Sequence, residues 1–172
     1  FKQYACGTMC QPFIDVARKL AVAGVELASI GDIKCNVGEG TVHRLWEPKK
    51  EKINPTTSYS AKFSAPYCIA VAPHKKAAGL DQFIFERIRD AKVIELAGTV
   101  NYRIDPENEY PANYSGHIRV VMNDGSVHEI KQPQLRGGTR QSMIDEELSE
   151  MLRINAGYGG WQSENFIQFE AF

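Results

Sequence analysis

The sequence predicts an α+β fold, a two-layer sandwich with helices packed on one face of a mostly antiparallel sheet. Apolar residues recur at helical spacing behind Pro12, and they alternate on both sides of Asn123-Asp124-Gly125. The inferred elements run helix, strand, helices, strand, hairpin, helix, with no internal repeat and no low-complexity segment.

The first helix begins at Pro12, a residue suited to a first helical turn. It carries Phe13, Ile14, Val16, Ala17, Leu20 and Ala21 to an end near Gly24. "SIGDIKCNVG" follows as a strand, with imperfect alternation at Ile30, Ile33, Cys35 and Val37 and an end at Gly38 and Gly40. "EPKKEKINPTTS" reads as a polar loop. From Tyr59 to Ala72, apolar Phe63, Tyr67, Ala70 and Val71 repeat at three and four, which suits a helix. Pro66 then either kinks that helix or starts it, with "AKFS" as an extended entry.

"LDQFIFERIRD" is expected to form a short helix with Phe83, Ile84 and Ile88 inward, and "KVIELAGTVNYRI" leads into a strand alternating at Val100, Tyr102 and Ile104. "HIRVVMNDGSVHEIK" is a hairpin, since Ile118, Val120 and Met122 alternate into a glycine-containing turn and Val127 and Ile130 leave it. "SMIDEELSEMLRIN" starts a helix, with Ser142 as its cap, acids in its first turns, and Met143, Leu148, Met151 and Leu152 available for packing.

With 172 residues and 43% hydrophobic content the chain can bury one real core. A net charge of −1 argues against a nucleic-acid or membrane-surface role resting on bulk electrostatics, and no apolar run is long enough for a membrane span. Small molecules and protein are the expected partners. The chain opens on "FKQYAC" and closes on "YGGWQSENFIQFEAF", which together read as a piece of a longer protein. Phe166, Phe169 and Phe172 stand at helical spacing with nothing evident to cover them, so self-association through that face is expected.

Motifs of common chemistries are missing: the sequence has no Gly-rich phosphate loop, GxSxG or HExxH, and His43, His74, His117 and His128 are scattered. Cys6, Cys10, Cys35 and Cys68 lack the spacing of a zinc set and read as reduced, packed thiols, binding no metal and forming no disulfide. "RGGTR" at 136–140 suits either an anion or a solvated loop.

Two stretches are polar where an apolar run would be expected. Lys2 and Tyr4 stand beside a small-residue turn, and Lys62, Ser64 and Tyr67 interrupt the helix from Tyr59. Two readings fit the second group. Either the polar groups point into a cleft, or Lys62 snorkels, Ser64 caps and Tyr67 sits in the core with a bonded hydroxyl.

The order "FKQYACGTMCQPFIDVARKL", "NPTTSYSAKFSAPYCIAVA", "RDAKVIELAGTV", a hairpin with "DGS", then "RGG" before "IDEELSEMLR" resembles the second half of the MmgE/PrpD family over nearly the whole chain. That family includes 2-methylcitrate dehydratase, cis-aconitate decarboxylase and iminodisuccinate epimerase. The resemblance implies a cytoplasmic, homodimeric enzyme of propionate-type metabolism that moves protons next to carboxylates, with no metal and no other cofactor. A polycarboxylate like 2-methylcitrate or aconitate is the implied substrate. A lyase ranks first, an isomerase or epimerase second, and a non-catalytic ligand-binding or dimerisation module third.

The family's architecture pairs a large helical domain with a smaller α+β lid, the active site lying between them. The resemblance makes residues 1–133 the lid and 134–172 a linker and the start of the returning helical segment, with the N-terminal helical domain as the missing partner. It implies catalytic, substrate-facing roles for Lys2 and Tyr67; Lys62, on the cleft reading of the second stretch, is a further candidate substrate contact. The main acid–base groups are expected in the helical domain. Where many relatives carry His before the helix-starting proline, or nearer the turn, this chain has Gln11 and Gly7; Gln11 cannot act as a general base.

Overall fold

The computed structural model describes residues 1–75, 78–162 and 165–167. Pro12 sits in the first turn of α1, Gln11–Val22, whose apolar positions from Phe13 to Leu20 are buried. The chain then enters β1, Ile30–Val37. Three short helices follow: α2 (Val42–Leu45), α3 (Lys49–Ile53) and α4 (Ser58–Lys62). The longer α5 (Ala65–Lys75) and α6 (Ala91–Gly98) lead to β2, Val100–Ile104. The hairpin forms as expected from β3 (Gly116–Met122) and β4 (Val127–Gln132), and α7 spans Asp145–Tyr158.

The sheet has four strands in the order β2-β1-β3-β4. It is mixed, a correction to the mostly antiparallel expectation: β1 pairs parallel with β2 and antiparallel with β3, and β3 pairs antiparallel with β4. The hairpin is a local event and shows in the sequence. The β1–β2 pair is closed by a crossover through α2 to α6, and a parallel pair needs such a connection because a tight turn reverses chain direction.

Register stacks the apolar residues on one face, with Ile33 beside Val100 and Val120, and Ile118 beside Cys35 and Ile130. Helix α1 lies on β3 and β4 and packs against α5, which in turn packs on α6. At Gly116 even a Cβ atom would come 2.5 Å from the Pro12 carbonyl, so the start of β3 needs glycine to let the start of α1 approach. Among the aromatics, Trp46 is buried edge-on to Phe13, with centroids 5.4 Å apart, and lies against Tyr102 at the same distance. The other sheet face presents exposed Lys34, Arg103, Arg119 and Lys131.

Several local expectations are revised. The segment from Glu47 is not a plain loop, because Lys49–Ile53 turns helical behind Pro48. The Tyr59–Ala72 helix is two helices broken at Phe63 and Ser64. The Ser64 hydroxyl accepts from the Tyr67 amide at 3.0 Å and donates to the Lys52 carbonyl, so it caps α5 and ties it to α3. Pro66 then lies in the first turn of α5, where its missing amide costs nothing, and "AKFS" is no extended entry.

Phe83 and Ile88 are inward, but the backbone there is a 3-10 turn over Leu80–Phe83. "KVIELAG" belongs to α6, capped by the Asp90 carboxylate on the Lys92 amide. Ser142 is not the cap of α7; Ile144 stands there, and its amide donates to the Glu147 carboxylate at 3.1 Å. Phe166 is not uncovered, being 4% exposed with the Arg153 guanidinium 4.9 Å from its ring. Phe169 and Phe172 lie outside the described residues.

Candidate functional site

The two polar stretches meet. The Gly7 amide donates to the Lys62 carbonyl at 2.8 Å, and the Cys10 amide returns to the Gly7 carbonyl, making the turn that delivers the chain into α1. A Cβ on Gly7 would stand 3.3 Å from the Phe63 ring, so a larger residue at this position requires that ring to give way. The N-terminal segment carrying Lys2 is thereby docked on the end of α4.

Lys2 is exposed and Lys62 half-buried, and among the described residues neither ammonium has a hydrogen bond or ion pair. Tyr67 is elsewhere in character. It is fully buried, its hydroxyl donates to the Gln82 carbonyl at 2.6 Å, and its ring lies 5.9 Å from that of Phe83. Burial, aided by Cys68 and Asp90, pushes its phenol well above the ordinary value. The hydroxyl is therefore committed to the core, where it acts as a neutral donor. Tyr67→Phe is expected to remove about 1 kcal/mol of stability by stranding that carbonyl. Urea unfolding checks this; an unchanged midpoint would contradict the bonded arrangement.

Sequence reasoning missed a polar network that surrounds the Lys2 segment. Gln11 is 2% exposed, and its Oε1 accepts from the Gln3 amide at 3.2 Å. The Tyr4 hydroxyl donates to Asp15 Oδ1 at 2.6 Å and accepts from Arg18 at 3.0 Å. Arg136 reaches the same carboxylate at 2.9 Å and also pairs with Glu147. Burial, reinforced by Asp15, pushes the Tyr4 phenol up to about 12, so it stays a donor. The signal was present in the sequence: Gln11, Asp15 and Arg18 fall at four and three along α1, one polar stripe beside an apolar face.

Neither arginine of "RGGTR" is a spare anion ligand, because Arg136 is held by Asp15 and Glu147 and Arg140 pairs with Glu109 at 2.7 Å. A cavity of about 150 Å³ lies between Pro111–Tyr114 and the Gly138–Arg140 loop, and Lys2, Lys62 and Tyr67 are not among its lining. Among the described residues, the buried polar atoms without a partner include Gln3 Oε1, Gln11 Nε2 and Asp15 Oδ2 by this segment.

All four cysteines are free and buried. Cys6, Cys10 and Cys68 adjoin one another, and burial raises the Cys68 thiol far above its ordinary value, which suits packing better than reactivity. Among the described residues no group of three His, Cys, Asp or Glu side chains is placed to hold a metal ion. No described helix is long and apolar enough to cross a membrane.

The family model of the MmgE/PrpD C-terminal domain matches residues 4–171. No curated protein matches the chain.

Proposed function

We propose, since the chain belongs to the MmgE/PrpD family through its C-terminal domain, that it forms the lid of a lyase acting on a 2-methylcitrate- or aconitate-like polycarboxylate. The observation that supports this most is the exposed ammonium of Lys2, unpaired among the described residues, on a segment docked between α1 and the end of α4. A substrate carboxylate facing Lys2 gains an ion pair that strengthens as enolate-like charge grows beside it. For dehydration, a base removes the proton from the carbon next to that carboxylate. The C–H electron pair becomes the new double bond, and the hydroxyl leaves, protonated, as water.

Lys62, close to the same turn, is the second candidate for carboxylate contact. Tyr67, buried behind it, supports the α4–α5 junction in this reading and takes no part in proton transfer. The base and acid are assigned to a helical domain that closes over this one. Residues 134–172 would lead into that domain, and the exposed Ile154 and Tyr158, four apart on α7, give it an apolar surface to cover. Homodimer formation and a cytoplasmic location belong to the same proposal.

The test is turnover by the full-length protein, followed through the ultraviolet absorbance of the conjugated double bond. Water loss from 2-methylcitrate or carbon dioxide release from cis-aconitate is the expected result, with none from residues 1–172 alone. Solvent deuterium entering recovered substrate without net elimination would instead favour an epimerase. Absence of both reactions would defeat the lyase reading.

A further inference from the structure

We propose that Arg136 and Gly137 are positioning residues for Lys2, fixing its backbone from both sides while leaving its ammonium free. The inference rests on the reading of Lys2 given above, and its geometry is independent of that reading. Before Lys2, the Phe1 backbone lies directly against Gly137, where no side chain would fit beside the Phe1 carbonyl. After it, the Gln3 amide is bonded to Gln11 and the Tyr4 hydroxyl accepts from Arg136 at 3.2 Å. The residues around Lys2 are thus held, and among the described residues its ammonium has no hydrogen bond or ion pair.

The gripping loop is internally bonded. The Gly138 amide closes a turn on the Leu135 carbonyl at 3.1 Å, and the Gly137 amide donates to the Gln141 carbonyl at 2.7 Å. Gly137 has φ +85°, the left-handed value such a turn needs at its third position. A Cβ there would stand 2.5 Å from the Phe1 carbonyl oxygen, so glycine is required by the turn and by the contact alike. Arg136 is only 20% exposed and divides its fork between Asp15, 6% exposed, and Glu147 at the start of α7. A guanidinium can serve those separate oxygens at once, which a lysine ammonium on a flexible stem would do poorly. The arrangement links the first turn of α7 to the Lys2 segment through one residue.

Preorganising a charged group in this way spares the ordering cost at the moment of binding. Arg136→Ala would leave Asp15 buried and uncompensated, so the milder Tyr4→Phe, which keeps the Arg136–Asp15 pair and cuts its link to the segment, is the better probe. In the full-length protein, hydrogen–deuterium exchange of residues 1–4 is expected to rise about tenfold in Tyr4→Phe and in Arg136→Lys. With 2-methylcitrate as substrate, kcat/KM is expected to fall about tenfold in each, with no further fall when either is added to Lys2→Ala. Unchanged exchange overturns the clamp. Faster exchange with kinetics that stay normal, or losses that add to those of Lys2→Ala, overturns its action through Lys2. Normal kinetics in Lys2→Ala alone overturns the reading of Lys2, and the exchange measurement still decides the clamp.

Discussion

Lys2→Ala in the full-length protein is expected to lower kcat/KM by on the order of 3 kcal/mol, roughly 150-fold, comparable to deleting one preorganised donor to a developing oxyanion. The side chain is exposed and bonded to nothing among the described residues, so its removal leaves no buried partner stranded and the thermal midpoint should hold. An ion pair made in both ground and transition states raises KM, while the part that grows with charge development lowers kcat, and both should move. Steady-state kinetics beside thermal unfolding distinguish this from a structural role. Normal kinetics would remove Lys2 from the site.

The largest stability effect is expected at Trp46, where alanine should cost about 3–5 kcal/mol. The indole is 1% exposed and fills the space between Phe13 on α1 and Tyr102 on β2, so it joins the helical layer to the parallel part of the sheet. Among the described residues its Nε1 has no hydrogen-bond partner, hence the loss is one of packing alone. Equilibrium urea unfolding measures the change through the midpoint. A loss below about 1 kcal/mol would mean that the cavity collapses freely, against the close packing of the two neighbouring rings.

The parts legible in the sequence were those whose causes are local. Helix α1 and the β3–β4 hairpin announce themselves through period and turn chemistry within a dozen residues. Helix α6 did not, because Val93, Ile94, Leu96 and Val100 form a dense apolar run in which helix and strand periods are hard to separate; Asp90, its cap, was the overlooked mark. The β1–β2 pairing joins residues more than sixty positions apart and depends on how five helices stack between them. At the site, the docking of Gly7 on Lys62 and the bonds from Arg136 to Asp15 are likewise long-range. Spacing could identify the participants on α1, but only the fold brings residue 136 to residue 15.

The strand order has a further consequence for what the sheet presents to any strand outside it. Its two edges are β2, five residues long, and β4, six residues long, and unpaired edges are where β-sheets of different molecules join. Both are guarded. On β2, Lys49 Nζ donates to Asn101 at 2.5 Å and Tyr102 donates to Glu47, laying the α2–α3 segment beside the strand, and exposed Arg103 adds a charge. On β4, exposed Glu129 and Lys131 place opposite charges along the strand, so a second strand would have to pair in a register that tolerates both. Sheet extension by a further strand is thereby discouraged at either end.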